Sequence, residues 1–443
     1  MTAHAGAPVF SIGGGAGFAG DRTDAAVRLA ASGEVNAIGL ECLAERTLIA
    51  ALTARAADPE AGADPRLRRR LSPLLPHVRR SGCRIISNLG AANPCSAARK
   101  VVALARELDV GSLRIAAIEG DDVMGQLDKV RWEEALPGRL IGAHAYIGSQ
   151  MIARAIDEDA DIVITGRAAD SALFAGPLLP HLDQAPEAIA MALTVGHLLE
   201  CSGQVTGGNY ERPGGGGLDA RSLADLGFPI AHVQRDGTAE ITVLDHDPGI
   251  VDRLTCTLQL LYEVHDPSRY ITPDGVVDFT TTRIEEIGPR RVRVSGTGFR
   301  PAPRDLKVVG FAEEPGMIAD VEMGLAGSGA HERALRAADV LRYRLRDWPQ
   351  EDLRIDIVGI DSILGGASRP ANAAANELRV HVSARCPDVE AAQIIEDEVY
   401  ALTLSGPGGG GSLRSEKRRN IATVTGFIDR DAVPLSLTWE ASR

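Results

Sequence analysis

The chain has 443 residues, of which 44% are apolar and 24% charged, a composition that suits two or three globular domains and excludes a disordered chain. Its net charge of −13 lacks the basic footprint that a nucleic-acid or anionic-membrane surface requires. The six cysteines are scattered without CxxC or zinc-ligand spacing, and neither a leader-like N-terminus nor a run of about 18 apolar residues occurs, so a reduced, cytoplasmic protein without a structural metal is expected.

Residues 8–200 alternate between short apolar runs and amphipathic segments. Strand 9–12 leads to a helix over about 22–32, strand 37–40 to a helix starting near 44, and strand 84–87 to a helix over about 94–108 with Pro94 in its first turn. Strand 113–118 precedes a predicted helix over about 123–134. Strand 141–146 leads to a helix ending near 158, and strand 161–165 ends at another polar loop. This order predicts an α/β fold with a mostly parallel sheet and helices on both faces, an open sheet being preferred to a barrel. From about 228 to 325 the pattern becomes that of half-exposed antiparallel strands, a β-rich subdomain. A helix over 330–346 ends at Trp348-Pro349, where a boundary is predicted between a core domain, 1–346, and a small C-terminal α+β ferredoxin-like domain, 347–443.

Ligands of parallel sheets gather at the carboxyl ends of strands, and here those ends carry polar loops. The first, residues 13–20, contains a literal G-x-G-x-x-G at Gly15, Gly17 and Gly20, with Glu41 at the end of the second strand, the context of a dinucleotide fingerprint. Asp21, at the start of the helix, would repel a phosphate there. Asp21, Glu41, Glu45, Glu119, Asp121 and Asp122 are expected to face one end of the sheet. Crowded carboxylates raise at least one pKa and can supply a general base, or they can be neutralised by Arg22, Arg46 and Arg167. Cys42 reads as a buried thiol in preference to a nucleophile. His144, next to Tyr146, is a catalytic candidate set against a core histidine. A second glycine-rich stretch, 204–217, follows an apolar helix that carries Glu200 and could form a lid.

The strings GGGAGFAGDRTDAA, ECLAERT, ISNLGAANP, ADIVITGRAADSALFAGPL and LLECSGQVTGGNY resemble the acyclic terpene utilisation (AtuA) family. LLYEVHDPSRYITPDGVVDF and SGTGFRPAPRDLKVVGF are similar too, and the last hundred residues resemble the ferredoxin-like domain that accompanies the family. The resemblance spans essentially the whole chain. It implies CoA-ester or branched-acid chemistry, the family being named for bacterial pathways that degrade citronellol and geraniol through acyl-CoA intermediates. It also carries over Asp21, Arg22, Glu41, Glu45, Asn88, Asn93, Arg167 and Asp170 as site residues.

An enzyme acting on an acyl-CoA or carboxylic acid by lyase or hydratase chemistry is therefore expected. In this reading the amides around Gly14, Gly15 and Gly17 hold a phosphate or carboxylate, and Glu41 or Glu45 abstracts a proton, with Asp21 and His144 as further catalytic candidates. Asn88 and Asn93 donate to an enolate-like oxygen, Arg167 clamps the substrate carboxylate, and Arg22 and Asp170 complete the binding set. CoA enters only as part of the substrate, no metal is called for, and the partners are a small molecule and further copies of the chain. The alternatives are an NAD(P)-dependent oxidoreductase using the Gly15/Gly17/Gly20 loop and a non-catalytic subunit supporting an acyl-CoA carboxylase.

Overall fold

Apolar runs without polar alternation can be buried on both faces, and five of them lie at the centre of an open ten-stranded sheet. These are β1 (Phe10–Ala16), β2 (Ala37–Leu40), β3 (Arg84–Ser87), β4 (Arg114–Glu119) and β5 (Ile162–Thr165), paired in parallel in the order β1-β2-β3-β5-β4. Helices cover both faces. Val163 of β5 and Ile86 of β3 join a core with Ile152, Phe174 and Leu198. Their neighbours Ile162, Ile164 and Ile85 join a second core with Leu29, Val101 and Leu104. The computed structural model describes residues 7–211, 214–368 and 375–442.

The sheet is mixed, not mostly parallel. Strands β6 (Pro229–Val233), β7 (Ala239–Val243), β8 (Arg283–Gly288) and β9 (Arg291–Ser295) extend it beyond β1 in the order β6-β7-β9-β8, each pairing antiparallel. The segment expected as a β-rich subdomain attached to the core is largely one wing of the same sheet. On the other edge β10 (Ser436–Ala441) pairs antiparallel with β4, which removes it from the C-terminal domain predicted for it. Two local expectations also fail. Residues 124–129 form a short 3-10 turn, not the start of a helix, and the following pair Arg131–Trp132 is a strand. The strand Arg139–Ala145 lies outside the parallel sheet and pairs with the long strand Asp305–Ala326.

Contacts divide the chain into Met1–Glu134, Gly142–Gly310 and Val424–Arg443 as one compact unit, and Ala135–Ile141 with Phe311–Thr423 as the other. The division does not fall near residue 346, because helix Ala330–Arg344 shares a core with the strands that follow it: Ala334, Ala338 and Leu341 pack with Val380, Val382 and Ile395. In chain order this second unit runs strand, helix, strand, strand, helix, strand. Its sheet order is Leu353–Val358, Glu377–Cys386, Asp305–Ala326, Gly410–Asp429. Burial alternates along Glu377–Cys386, as expected of a sheet with one covered face.

Candidate active site

Within the first unit, the carboxyl ends of β2 and β5 open into a cavity of about 880 Å³. Glu41 follows β2 directly. Glu45 opens helix α1 (Glu45–Ala57), Arg167 and Asp170 follow β5, and Glu200 closes helix α2 (Pro186–Glu200). All five side chains line the cavity with Tyr146, Tyr270 and Lys307.

Arg167 organises this wall. Its Nη1 donates to the Leu43 carbonyl, and its Nη2 donates to the Tyr146 hydroxyl at 2.9 Å and lies 3.4 Å from Glu45 Oε1. The Tyr146 hydroxyl donates in turn to Glu45 Oε1 at 2.6 Å, and the guanidinium sits 4.2 Å from the Tyr146 ring centroid. Burial alone would lower the Arg167 pKa, but Asp170, Tyr146, Glu45 and Glu41 more than offset it, and the side chain stays charged. Both terminal nitrogens are thus tied to the wall, and Arg167 acts as the internal counter-charge of an acidic cluster, with its Nε left without a partner. Burial pushes the Glu45 carboxyl up, yet Arg167, the Tyr146 hydroxyl and Lys307 together hold it below the ordinary value, which makes it a weak base.

Glu41 has the opposite setting. It is 8% exposed, and burial raises its pKa against the hydrogen bonds from Asn88 and Leu43 and the charge of Arg167. Its Oε1 accepts from the Leu43 N–H at 2.9 Å and from Asn88 Nδ2 at 3.0 Å, while Asn88 Oδ1 accepts from the Cys42 N–H at 2.7 Å. Asn88 therefore orients Glu41, one amide hydrogen and the amide oxygen both being spent on the β2 loop. Asn88→Ala is expected to raise the Glu41 pKa further, because the lost hydrogen bond favours the charged form. The acidic limb of a pH–rate profile should move to higher pH, and an unmoved limb would detach Asn88 from Glu41. Asp170 is raised well above the carboxylate range, first by burial and then by Glu41, against the pull of Arg167. A carboxyl poised to carry a proton beside one poised to accept it is the arrangement that general acid–base chemistry needs. Among the described residues no group of three or more His, Cys, Asp or Glu side chains could hold a metal ion.

The family profile described as "Acyclic terpene utilisation family protein AtuA" matches residues 10–439, nearly the whole chain. The chain belongs to the AtuA family. No curated protein and no solved structure matches it. Membership covers both units, so the cavity and the second unit are parts of one AtuA chain.

Several residues expected at the AtuA site lie elsewhere. Gly14 and Gly15 are inside β1, not in a loop, and their missing side chains leave room for neighbours. A Cβ on Gly14 would stand 3.0 Å from the Leu199 carbonyl, one on Gly15 would collide with Ile38, and one on Gly17 would come within 2.6 Å of Cys201. The glycine pattern therefore serves close packing. Only Gly17 of the three lines the cavity. Two amides of the turn are taken: Asp21 accepts from the N–H groups of Gly17 and Arg22 at 2.9 and 2.8 Å, which staples the turn. Arg22 donates to the carbonyls of Leu223, Ala224 and Leu226. Asn93 caps helix α3 (Pro94–Glu107) and donates to Pro59 and Ala61, far from any enolate role. His144 does not reach the cavity wall. It pairs with Asp121 Oδ2 at 2.9 Å, and the same oxygen accepts the Arg167 N–H at 2.7 Å, so the buried Asp121–His144 pair positions Arg167 from behind.

Cys42 is 1% exposed, and burial, with Glu41 nearby, pushes its thiol far above the ordinary value. Cys201, on the cavity, is pushed up to about 12 by burial and Glu200. Neither is expected to react with iodoacetamide at neutral pH in the folded protein, as mass spectrometry of labelled peptides would show; rapid labelling of Cys42 would reopen a nucleophilic role. Among the cavity residues that sequence reasoning did not place at the site are Glu200, Tyr270, Lys307, Arg131 and Arg304. One signal did exist for Glu200: an acid closing an apolar helix, where the helix dipole disfavours it.

Proposed function

We propose that this AtuA chain is an enzyme of terpenoid or branched-acid catabolism that acts on an acyl-CoA or carboxylic acid by acid–base chemistry of the lyase or hydratase type. The observation that carries this reading is the pairing, on one cavity wall, of Glu41 and Asp170, both raised, around an Arg167 whose charge is already committed to the cluster. In elimination Glu41 takes a proton from the carbon next to the acyl carbonyl and Asp170 gives one to the departing group; in addition both transfers run in reverse. Glu45, held low, serves with Tyr146 to fix Arg167. The exposed cations Arg131, Arg304 and Lys307 on the same cavity support a phosphate-bearing CoA portion toward solvent, although Arg131 is paired with Asp305 and Arg304 with Asp429. The strand and helix order of the second unit supports reading it as ferredoxin-like, and a homo-oligomer remains the expected assembly.

Calorimetric titration tests the substrate class. Acyl-CoA thioesters or branched free acids should bind, while NAD(H) and NADP(H) should not, since the Asp21 carboxylate holds two amides of the turn and repels a pyrophosphate there. Binding of a nicotinamide cofactor without any acyl ligand would overturn the proposal in favour of an oxidoreductase.

A further inference from the structure

One pair of groups on the cavity is left unused by the reading above. Glu200 stands at the carboxyl end of α2, where the helix dipole disfavours an anion, and it is nevertheless buried. Its Oε1 accepts a hydrogen bond from His197 Nδ1 at 2.6 Å. The His197 ring packs against Tyr270 and Phe279, with centroids 4.7 and 5.3 Å away, and the His197 carbonyl accepts from Gln259 Nε2 at 2.9 Å, so the carboxylate is held on a fixed support. Its second oxygen, Oε2, is buried with no hydrogen-bond partner, and Asp170 Oδ1 on the same cavity is in the same condition. Buried carboxyl oxygens without partners are costly and uncommon. Two of them on one cavity wall point to a ligand group that completes them.

The ligand group is constrained by charge. A carboxylate would face Glu41, Asp170 and Glu200 together and has no proton to give to Glu200 Oε2. An ammonium can donate to Glu200 Oε2 but has no lone pair to accept a proton from Asp170. A neutral hydroxyl fits: it donates its proton to Glu200 Oε2 and accepts one from a protonated Asp170.

We propose that Glu200 and Asp170 form a hydroxyl-binding subsite, so that the acyl substrate, on the reading of the previous section, is a hydroxyacyl compound. Asp170 then hydrogen-bonds the oxygen that would depart as water, with His197 as the residue that positions Glu200. An analogue lacking the hydroxyl leaves both oxygens unpartnered, a condition that costs far more than the loss of one exposed contact.

The test is calorimetric titration of β-hydroxyisovaleryl-CoA, isovaleryl-CoA and the β-amino analogue into the full chain. The hydroxylated thioester is expected to bind about 100-fold more tightly than isovaleryl-CoA, the effect of two buried groups each losing a partner. Glu200→Met, which keeps the bulk and removes the acceptor, should abolish most of that preference, and a preference that survives it overturns the subsite. Equal affinity for the first two ligands, or tightest binding of the amine, overturns the subsite while leaving the acyl reading standing. Binding of none of the three overturns the acyl reading and the subsite together. If the variant does not fold, the wild-type comparison decides alone.

Discussion

Replacing Glu41 with glutamine is expected to lower the rate of proton abstraction by about 1000-fold, within the range that loss of a positioned general base produces, while leaving thermal stability unchanged or slightly higher. The two halves of this expectation have one cause. Glutamine has the same shape, and its carbonyl oxygen can still accept from Leu43 N–H and Asn88 Nδ2, so the network around β2 survives. What disappears is a buried charge that the folded protein holds at a cost, as the raised pKa of Glu41 records. The measurement is paired: hydrogen–deuterium exchange at the carbon next to the acyl carbonyl, and the melting temperature by calorimetry. Retention of more than about a tenth of the rate would remove Glu41 from the base role. Loss of both rate and stability would make it a structural residue.

Arg167→Leu is expected to be among the most destabilising single changes in the first unit, at about 3–5 kcal/mol, the range for breaking a buried ion network by removing one partner. The Leu43 carbonyl and the Tyr146 hydroxyl lose their donor, Glu45 keeps only Tyr146, and Glu41 and Asp170 lose a close cation. The loss should depend on pH. In the wild type the lowered pKa of Glu45 contributes stability above its unfolded value of about 4.3, and that contribution fades as pH falls through the lower folded value. The raised pKa values of Glu41 and Asp170 act the other way: stability is lost as pH rises from their unfolded toward their folded values. Without Arg167 that second effect grows, so the gap between wild type and variant should be smaller near pH 5 than near pH 8. Melting temperatures at the two pH values check this, and a constant gap would show that Arg167 acts through packing alone.

The parallel centre of the fold was readable because β2, β3 and β5 are short, continuous apolar runs, and residues directly after such strands in the chain inherit their position. Glu41, Glu45, Arg167 and Asp170 could be placed for that reason. The edges were not readable. The partner of β10 lies some 320 residues earlier in the chain, in β4, and no local pattern encodes such a pairing. The glycine run was misread because composition alone does not separate a phosphate loop from a strand whose glycines admit Ile38 and the Leu199 carbonyl. Asn88 and His144 were recognised as polar residues of interest, but the direction of their hydrogen bonds, toward Glu41 and Asp121, depends on tertiary placement. Glu200 and Tyr270 reach the cavity from a helix end and a distant segment, outside the strand-end logic that found the others.

The central claim is that the Glu41, Asp170 and Arg167 wall performs acid–base chemistry on an acyl substrate. Its most direct test is incubation of the protein with a panel of branched acyl-CoA thioesters in deuterated water, followed by mass spectrometry of the recovered thioesters. Deuterium should appear next to the carbonyl of at least one of them with the wild-type protein and not with Glu41→Gln. Absence of deuterium from every thioester with the wild type, or equal incorporation by the variant, would contradict the account.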